Sequence, residues 1–131
     1  MATIVELRVQ LATLKAATPG LRNRELAELL GISELELLTL SLGEEVVFLS
    51  GDWKELLKEV KKIGYVMALT RNEACVHERK GIYDNITFYD GAHNMGTAVN
   101  PDIDLRLFMN EWAYALAVII RREKGKDLYS F

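Results

Sequence analysis

The sequence predicts an α+β fold in which helices come first and an antiparallel sheet follows. Two observations carry this prediction. Up to position 63 apolar residues recur at helical spacing between helix caps, and after Gly64 β-branched and aromatic residues form short runs separated by turn-forming residues. Helices segregated from strands are typical of the α+β class. The length of 131 residues indicates a single domain, 1–131, helical over 1–63 and mainly β over 64–131.

Four helices are predicted from the apolar period and from end signals. They cover 4–17, 24–30, 34–40 and 53–63. Asn23 is the predicted cap of the second helix, and Gly31 ends it. Ser33 and Glu36 form a capping box for the third, and Asp52 caps the fourth.

The predicted strands are short and are joined by turn signals. They cover 45–49, 65–70, 74–84, 86–90 and the long run that follows, up to Arg122. Residues 104–112, DLRLFMNEW, fit either a strand or a helical turn. The tail DLYSF (127–131) has the pattern of a strand that stops after its first residues. We therefore expect the chain to be a fragment of a longer protein or to lack its tail. The sheet would then have an exposed edge that can pair with another chain.

The composition excludes several classes of protein. The longest apolar run has eight residues, 113–120, whereas a membrane-spanning helix needs about 20, so no membrane insertion is expected. The N-terminus carries Glu6 and does not resemble a secretory signal. The lone Cys75 offers no disulfide framework and suits a reducing compartment, which favours the cytoplasm. A net charge of −3 argues against a nucleic-acid partner.

The stretch 24–38 has the sequence look of a helix-turn-helix DNA reader. A recognition helix needs basic or amide side chains aimed at bases and phosphates. The second helix here reads SELELLTL, with two glutamates and no basic residue. We therefore interpret the pair as packed amphipathic helices, and a helix-turn-helix regulator stays an alternative.

The nine residues TRNEACVHE, 70–78, hold the lone cysteine and one of the two histidines, His77. A zinc centre needs three or four protein ligands, and no spacing here supplies them. Alternation places Glu73, Cys75, His77 and Arg79 on one strand face, but no residue is identified that would orient a Cys–His pair. A single imidazole is enough where haem supplies the other iron ligands. From the residues alone, His77 is either structural or a ligand.

Three blocks of the sequence carry a resemblance when taken together. They are RNRELAELLGISELEL (22–37), ALTRNEACVHERKGIYDN (68–85) and NPDIDLRLFMNEW (100–112). In order and spacing they resemble the hemin-degrading factor family of the HemS, HmuS and ChuS type, over roughly residues 20 to 131. Members of that family consist of two similar halves, each with helices followed by an antiparallel sheet, and this chain looks like the first half.

The resemblance implies a cytoplasmic haem-binding protein of bacterial haem uptake. Such a protein accepts haem from an importer and hands it to an oxygenase, or in some members opens the ring itself, so the resemblance leaves enzymatic activity open. It implies haem as the cofactor or cargo, with the importer and the oxygenase as partners. A second copy of the chain is expected as a partner on a different ground, the exposed sheet edge at the C-terminus. The remaining alternative is a structural or dimerising half-domain without a ligand of its own.

The resemblance also assigns roles to individual residues. His77 matches a proposed haem-iron ligand, and Arg106, in DLRLF, matches an arginine near a haem propionate. The better-established axial histidine of the family belongs to the second half. His93, in GAHNMG, matches a turn of structural role. Arg71 and Glu73 are interpreted as an ion pair at a strand end.

Overall fold

The computed structural model describes residues 1–92, 94–121 and 125–131. The helices are α1 (Ile4–Ala17), α2 (Asn23–Leu30), α3 (Glu34–Thr39) and α4 (Trp53–Glu59). The strands are β1 (Val46–Phe48), β2 (Tyr65–Arg71), β3 (Val76–Ile82), β4 (Ile86–Tyr89), β5 (Met95–Asn100), β6 (Ile103–Phe108), β7 (Leu116–Ile120) and β8 (Leu128–Ser130). Short 3₁₀ turns follow α4 and β6, at Val60–Ile63 and Met109–Glu111. This order confirms the α+β prediction.

The chain forms two compact units. One consists of Met1–Leu49 with Leu116–Phe131, and the other of Ser50–Ala115. The prediction of one domain over 1–131 stays a prediction. Among the described residues, no helix has both the length and the apolar character needed to cross a membrane.

The helix ends of the first unit follow local capping chemistry. Ser33 Oγ accepts from the Glu36 amide at 3.1 Å, and the Glu36 carboxylate accepts from the Ser33 amide at 2.7 Å, which confirms the predicted capping box. The prediction that Asn23 caps α2 was wrong, because Asn23 is the first helical residue. The Glu25 carboxylate instead accepts from the backbone N–H of Arg22, the residue before the helix, at 2.8 Å.

The three helices of the first unit enclose a small apolar core. It consists of Leu11, Leu26, Ala27, Leu37 and Leu40. Gly31 ends α2 with φ +69°, a left-handed conformation that glycine adopts without strain, and so turns the chain between α2 and α3. The apolar positions of the suspected helix-turn-helix are thus used in packing.

The first unit also contains a three-stranded antiparallel sheet in the order β1–β7–β8. The strand predicted over 45–49 is present as β1. The tail is present as β8, with Ile120 opposite Leu128 in the ladder. The predicted extension of β7 to Arg122 falls on residues 122–124, which lie outside the described part of the chain.

The second unit contains the β2–β3 hairpin and an antiparallel sheet in the order β4–β5–β6. The facing sides of hairpin and sheet share a core built on Tyr83, Ala98 and Ile103. Residues 104–112, which fitted either a strand or a turn, contain both, because β6 ends at Phe108 and a 3₁₀ turn follows. Asp52 caps α4 as predicted, accepting from the Lys54 amide at 2.9 Å, but α4 ends at Glu59 and not at residue 63.

The turn of the hairpin corrects the strand predicted over 74–84. The Asn72 side-chain oxygen accepts from the amides of Ala74 and Cys75 at 2.9 and 2.8 Å. This side chain-to-backbone bonding fixes a turn, so β3 begins only at Val76. The prediction that Glu73 and Cys75 share a strand face with His77 was therefore wrong.

Candidate functional site

A polar pocket of about 260 Å³ lies in the second unit, between the hairpin and strand β6. Its wall is formed by Ala68, Thr70, His77, Arg79, Tyr83, Asp102, Ile103, Asp104 and Leu105. The hairpin contributes its inner face, on which Thr70 stands opposite His77 and Ala68 opposite Arg79. The pocket therefore combines an imidazole and a guanidinium with an apolar floor, and residues Asp102 and Asp104 border it.

Two hydrogen bonds hold the wall of this pocket in place. Arg79 Nε donates to the Asp102 carbonyl at 2.9 Å, which ties β3 to the turn before β6. The buried Tyr83 hydroxyl donates to the Arg79 carbonyl at 2.7 Å. Burial raises the pKa of Tyr83 above its ordinary value, so this hydroxyl stays a donor over the neutral range.

His77 lines the pocket and is exposed to solvent. Its side chain has no hydrogen-bond or ion-pair partner among the described residues. Its ring nitrogens are therefore not engaged by that part of the chain, and an imidazole in this state can act as a ligand.

Arg106 lies on the other side of the β4–β5–β6 sheet. Side chains alternate along β6, so Ile103 and Leu105 face the pocket whereas Arg106 faces away from it. Arg106 Nε lies 3.2 Å from Asp104 Oδ1, and the Arg106 side chain is 57% exposed. The guanidinium therefore keeps its two terminal amino groups for another carboxylate.

The side of the sheet that carries Arg106 is open. We call it the outer face; its apolar members are Tyr89, Met95, Val99 and Phe108, and its polar members are Thr87, Thr97, Asp104 and Arg106. Tyr89 and Phe108 are each 52% exposed and Val99 is 40% exposed. Met95 stands between Tyr89 and Phe108 in the ladder, so the three form one row across the sheet. The outer face therefore combines an apolar row with a polar part that holds two threonines and the Asp104–Arg106 pair.

His77 and Arg106 are thus placed on two different surfaces of the second unit. The pocket beside His77 is smaller than the roughly 300–1,000 Å³ of pockets that enclose a drug-sized ligand. A porphyrin at His77 would remain mostly outside it. The roles predicted for His77 and Arg106 stay predictions, and the structure does not bring the two side chains into one cavity.

The other predicted residues are placed as follows. Cys75 is exposed in the hairpin turn, next to the start of β3. Arg71 ends β2 and Glu73 lies in the turn, and their ion pair stays a prediction. His93 lies outside the described residues. Within the described ranges no three His, Cys, Asp or Glu side chains are grouped as a metal site.

Sequence reasoning did not identify Tyr83, Asp102, Tyr89 or Phe108 as members of these two surfaces. Period-two alternation around Arg106 was available as a signal for Phe108. Tyr83 and Asp102 line the pocket because the hairpin packs on β6, and no local sequence pattern predicts that packing.

The fold places this protein in the α+β class, with helices preceding antiparallel sheets. Residues 31–128 match the family described as the haemin-degrading HemS/ChuX domain. Hemin transport protein HemS of Yersinia enterocolitica and HmuS of Yersinia pestis are each 41% identical over 112 residues, covering 85% of this chain. The chain belongs to the HemS/ChuX domain family.

Solved structures agree with this assignment. The holo form of PhuS, a heme-binding protein from Pseudomonas aeruginosa, superposes with a TM-score of 0.83 at 43% identity, covering 95% of this chain and 36% of PhuS. The heme-degrading enzyme ChuS of Escherichia coli O157:H7 superposes with a TM-score of 0.79 at 29% identity, covering 94% of this chain and 36% of ChuS. The chain spans 32% of the length of the two Yersinia relatives.

Proposed function

We propose that this chain is a haem-binding domain that carries haem as cargo in bacterial haem uptake, on the cytoplasmic side of the membrane. The observation that supports this most is the outer face, where Arg106 lies one row away from the apolar row of Tyr89, Met95 and Phe108. The relatives agree in kind, since the two Yersinia proteins are hemin transport proteins and PhuS is a heme-binding protein.

The shape of the outer face suits a flat apolar ring with carboxylates at one edge. Three strands about 4.8 Å apart and side chains repeating about every 6.6 Å along each strand give a platform of porphyrin size. Tyr89, Met95 and Phe108 would contact the ring and remove apolar surface from water. Arg106 would hold a propionate through its terminal amino groups while its Nε stays with Asp104.

The proposed iron ligand is His77, with Nε2 towards the metal. Because His77 and Arg106 lie on opposite sides of the β4–β5–β6 sheet, a haem ligated by His77 takes a position at the pocket mouth, apart from a haem anchored by Arg106. The proposal therefore contains two contacts that can be tested independently. Any oxygen chemistry that opened the ring would come from the haem iron, with the protein supplying orientation.

The proposed partners are a haem importer as donor and a haem oxygenase as acceptor. Transfer is favoured over degradation as the role of this chain. The two are distinguished by adding ascorbate to the hemin-loaded chain, since degradation would bleach the Soret band and give a verdohaem or biliverdin spectrum. Self-association through the exposed edge of β8 belongs to the alternative in which the chain is a structural half-domain without a ligand.

The experiment is a hemin titration of four proteins followed by optical spectroscopy. They are the unchanged chain, His77→Ala, Arg106→Ala and, as a control for loss of a positive charge, Arg22→Ala, whose side chain is 86% exposed on the helical unit. The unchanged chain and the control should give saturable Soret shifts of equal affinity. Arg106→Ala should weaken binding, and His77→Ala should abolish the spectral shift of a His-ligated iron.

A chain that gives no saturable shift at all would overturn the haem proposal in favour of the half-domain without a ligand. Full binding by His77→Ala with an unchanged spectrum would return His77 to a structural role.

A further inference from the structure

The outer face of the β4–β5–β6 sheet is divided into rows that run across the strands. The register of the two ladders gives three of them: the apolar row described above, a middle row of Thr87, Thr97 and Arg106, and a third row of Val99 and Asp104. Neighbours within a row lie about 4.8 Å apart, and successive rows on one face lie about 6.6 Å apart. The face therefore changes from apolar to hydroxyl-bearing and cationic, and then to acidic, over a short distance along the strands.

The threonine hydroxyls of the middle row are available to a ligand. Thr97 stands directly opposite Arg106 in the ladder, and Thr87 stands opposite Thr97. Thr87 is exposed and Thr97 is half-buried. Neither hydroxyl has a hydrogen-bond partner among the residues that the structure describes. Because a hydroxyl can donate to a carboxylate oxygen, the middle row presents two neutral donors beside one cation.

A haem on the outer face has two propionates, and Arg106 accounts for one of them. Its Nε lies 3.2 Å from Asp104 Oδ1, so its terminal amino groups are the donors left for a propionate. The second propionate hangs from the neighbouring pyrrole of the ring and therefore reaches the face beside the first. It needs donors of its own, because a carboxylate that leaves water without them loses favourable interactions.

The arrangement of the rows leaves one side for that second propionate. Asp104 lies one row beyond Arg106, where a carboxylate would meet a charge of its own sign. The apolar row lies in the opposite direction, and its side chains suit the ring better than its charged edge. Along the middle row itself, the hydroxyls of Thr97 and Thr87 continue from Arg106 towards β4.

We propose that Thr87 and Thr97 bind the second propionate of a haem whose first propionate is held by Arg106. This contact, which rests on the proposed function, narrows the class of ligand to a flat apolar ring with two free carboxylates at one edge. It also sets the direction of the ring, which lies over the apolar row with both carboxylates on the middle row. A ring with esterified carboxylates lacks the groups that the middle row binds.

Threonine on a strand also has a structural role, because its β-branched side chain suits a pleated surface. Valine has the same branched shape and lacks the hydroxyl. Thr87→Val and Thr97→Val therefore keep the strand and remove the donor, whereas Thr97→Ser keeps the donor. Comparing these variants separates ligand binding from strand formation.

The experiment is a fluorescence titration with gallium protoporphyrin IX, which has the two propionates of haem. Every chain carries His77→Ala as a common background, so that a ring bound beside His77 does not contribute. Thr87→Val and Thr97→Val should each raise the dissociation constant about 3- to 10-fold, because a hydrogen bond to a carboxylate is lost. Thr97→Ser should stay within about twofold of the background chain, since serine keeps the hydroxyl donor.

The control ligand is the dimethyl ester of gallium protoporphyrin IX, in which both carboxylates are blocked. With this ester, the two valine variants should bind like the background chain. The control variant is Thr13→Val, which removes an exposed threonine hydroxyl from α1 and should leave the affinity for both ligands unchanged. Far-ultraviolet circular dichroism checks that each variant is folded.

The outcomes distinguish this contact from the proposed function. Valine variants that bind the free acid like the background chain, while Arg106→Ala binds it more weakly, would overturn the threonine contact and leave the Arg106 contact standing. Equal losses with the free acid and the ester would also overturn it, because the threonines would then contact the ring. A background chain without saturable binding would overturn both contacts.

Discussion

The two faces of the β4–β5–β6 sheet carry different kinds of residue although they belong to the same strands. On the face towards the hairpin, Ala98 and Ile103 are buried at 1% and 4% relative exposure. On the outer face, Tyr89 and Phe108 are half exposed and Arg106 extends into solvent. The stability of the fold therefore depends on the buried face of this sheet, and the proposed contact of Arg106 with haem depends on the outer face.

The largest effect is expected from truncation on the buried side. Ile103→Ala removes a side chain from the centre of the second unit and should lower the free energy of unfolding by about 2–5 kcal/mol. Phe108→Ala changes a residue on the outer face of the same strand. It should lower the free energy of unfolding by less than about 1.5 kcal/mol, because half of that ring is already exposed to water. Urea unfolding followed by circular dichroism measures both.

The reverse order is expected for hemin affinity, where Phe108→Ala should weaken binding and Ile103→Ala, in conditions where it is folded, should not. If the two variants lost stability equally, the division between the faces would be wrong.

The next effect concerns the cation of the outer face. Arg106→Ala removes the proposed charge-assisted hydrogen bond to a propionate and should raise the hemin dissociation constant about 10- to 100-fold. Arg106→Lys keeps the charge but loses the planar set of donors, so its hemin affinity should lie between those of Arg106→Ala and the unchanged chain. The measurement is a Soret titration. Equal affinities for Arg106→Ala and the unchanged chain would remove Arg106 from the site.

A smaller effect on stability is expected from a substitution at Gly96, on the buried side of the sheet. A Cβ added at Gly96 would lie 2.7 and 2.8 Å from two carbons of the Phe88 ring. Gly96→Ala therefore forces the ring to shift and should destabilise the chain by about 1–3 kcal/mol. Gly91→Ala is the control, because a Cβ there meets nothing within 4 Å. Thermal unfolding of the two variants tests this difference, and equal midpoints would contradict it.

The smallest effect concerns the pocket wall. Burial raises the pKa of Tyr83 above its unfolded value, so its contribution to stability is complete below about pH 10 and is lost as the pH rises through the folded pKa. Tyr83→Phe should remove that alkaline loss and cost about 1 kcal/mol at neutral pH through the bond to Arg79. Tyr65→Phe, at a side chain that is 71% exposed, should not carry this cost at neutral pH. The measurement is the free energy of unfolding from pH 7 to 11, and an alkaline loss that is unchanged in Tyr83→Phe would contradict this prediction.

Much of the fold could be predicted because its signals are local. The capping box at Ser33 and the end of α2 at Gly31 depend on residues three or four positions apart, and both are present. The start of β3 was missed because Asn72 bonds the amides of the following turn, which outweighs the strand pattern of the residues after it.

The candidate site was less accessible to sequence reasoning. Alternation tells that Leu105 and Arg106 face opposite ways, but not which side of the sheet is covered. That depends on the hairpin packing against Ile103, a contact between segments about twenty residues apart. The separation of His77 from Arg106 follows from this packing and could not be read from the motifs.

The most direct test of the account is to map where the ring lies, by nuclear magnetic resonance of the labelled chain with gallium protoporphyrin IX, a diamagnetic substitute for ferric haem. The account predicts ring-current shifts at the methyl groups of Met95 and Val99 on the outer face, which Arg106→Ala should weaken, and separate shifts at Ala68 and Leu105 beside His77, which His77→Ala should remove. Shifts on neither surface would contradict it.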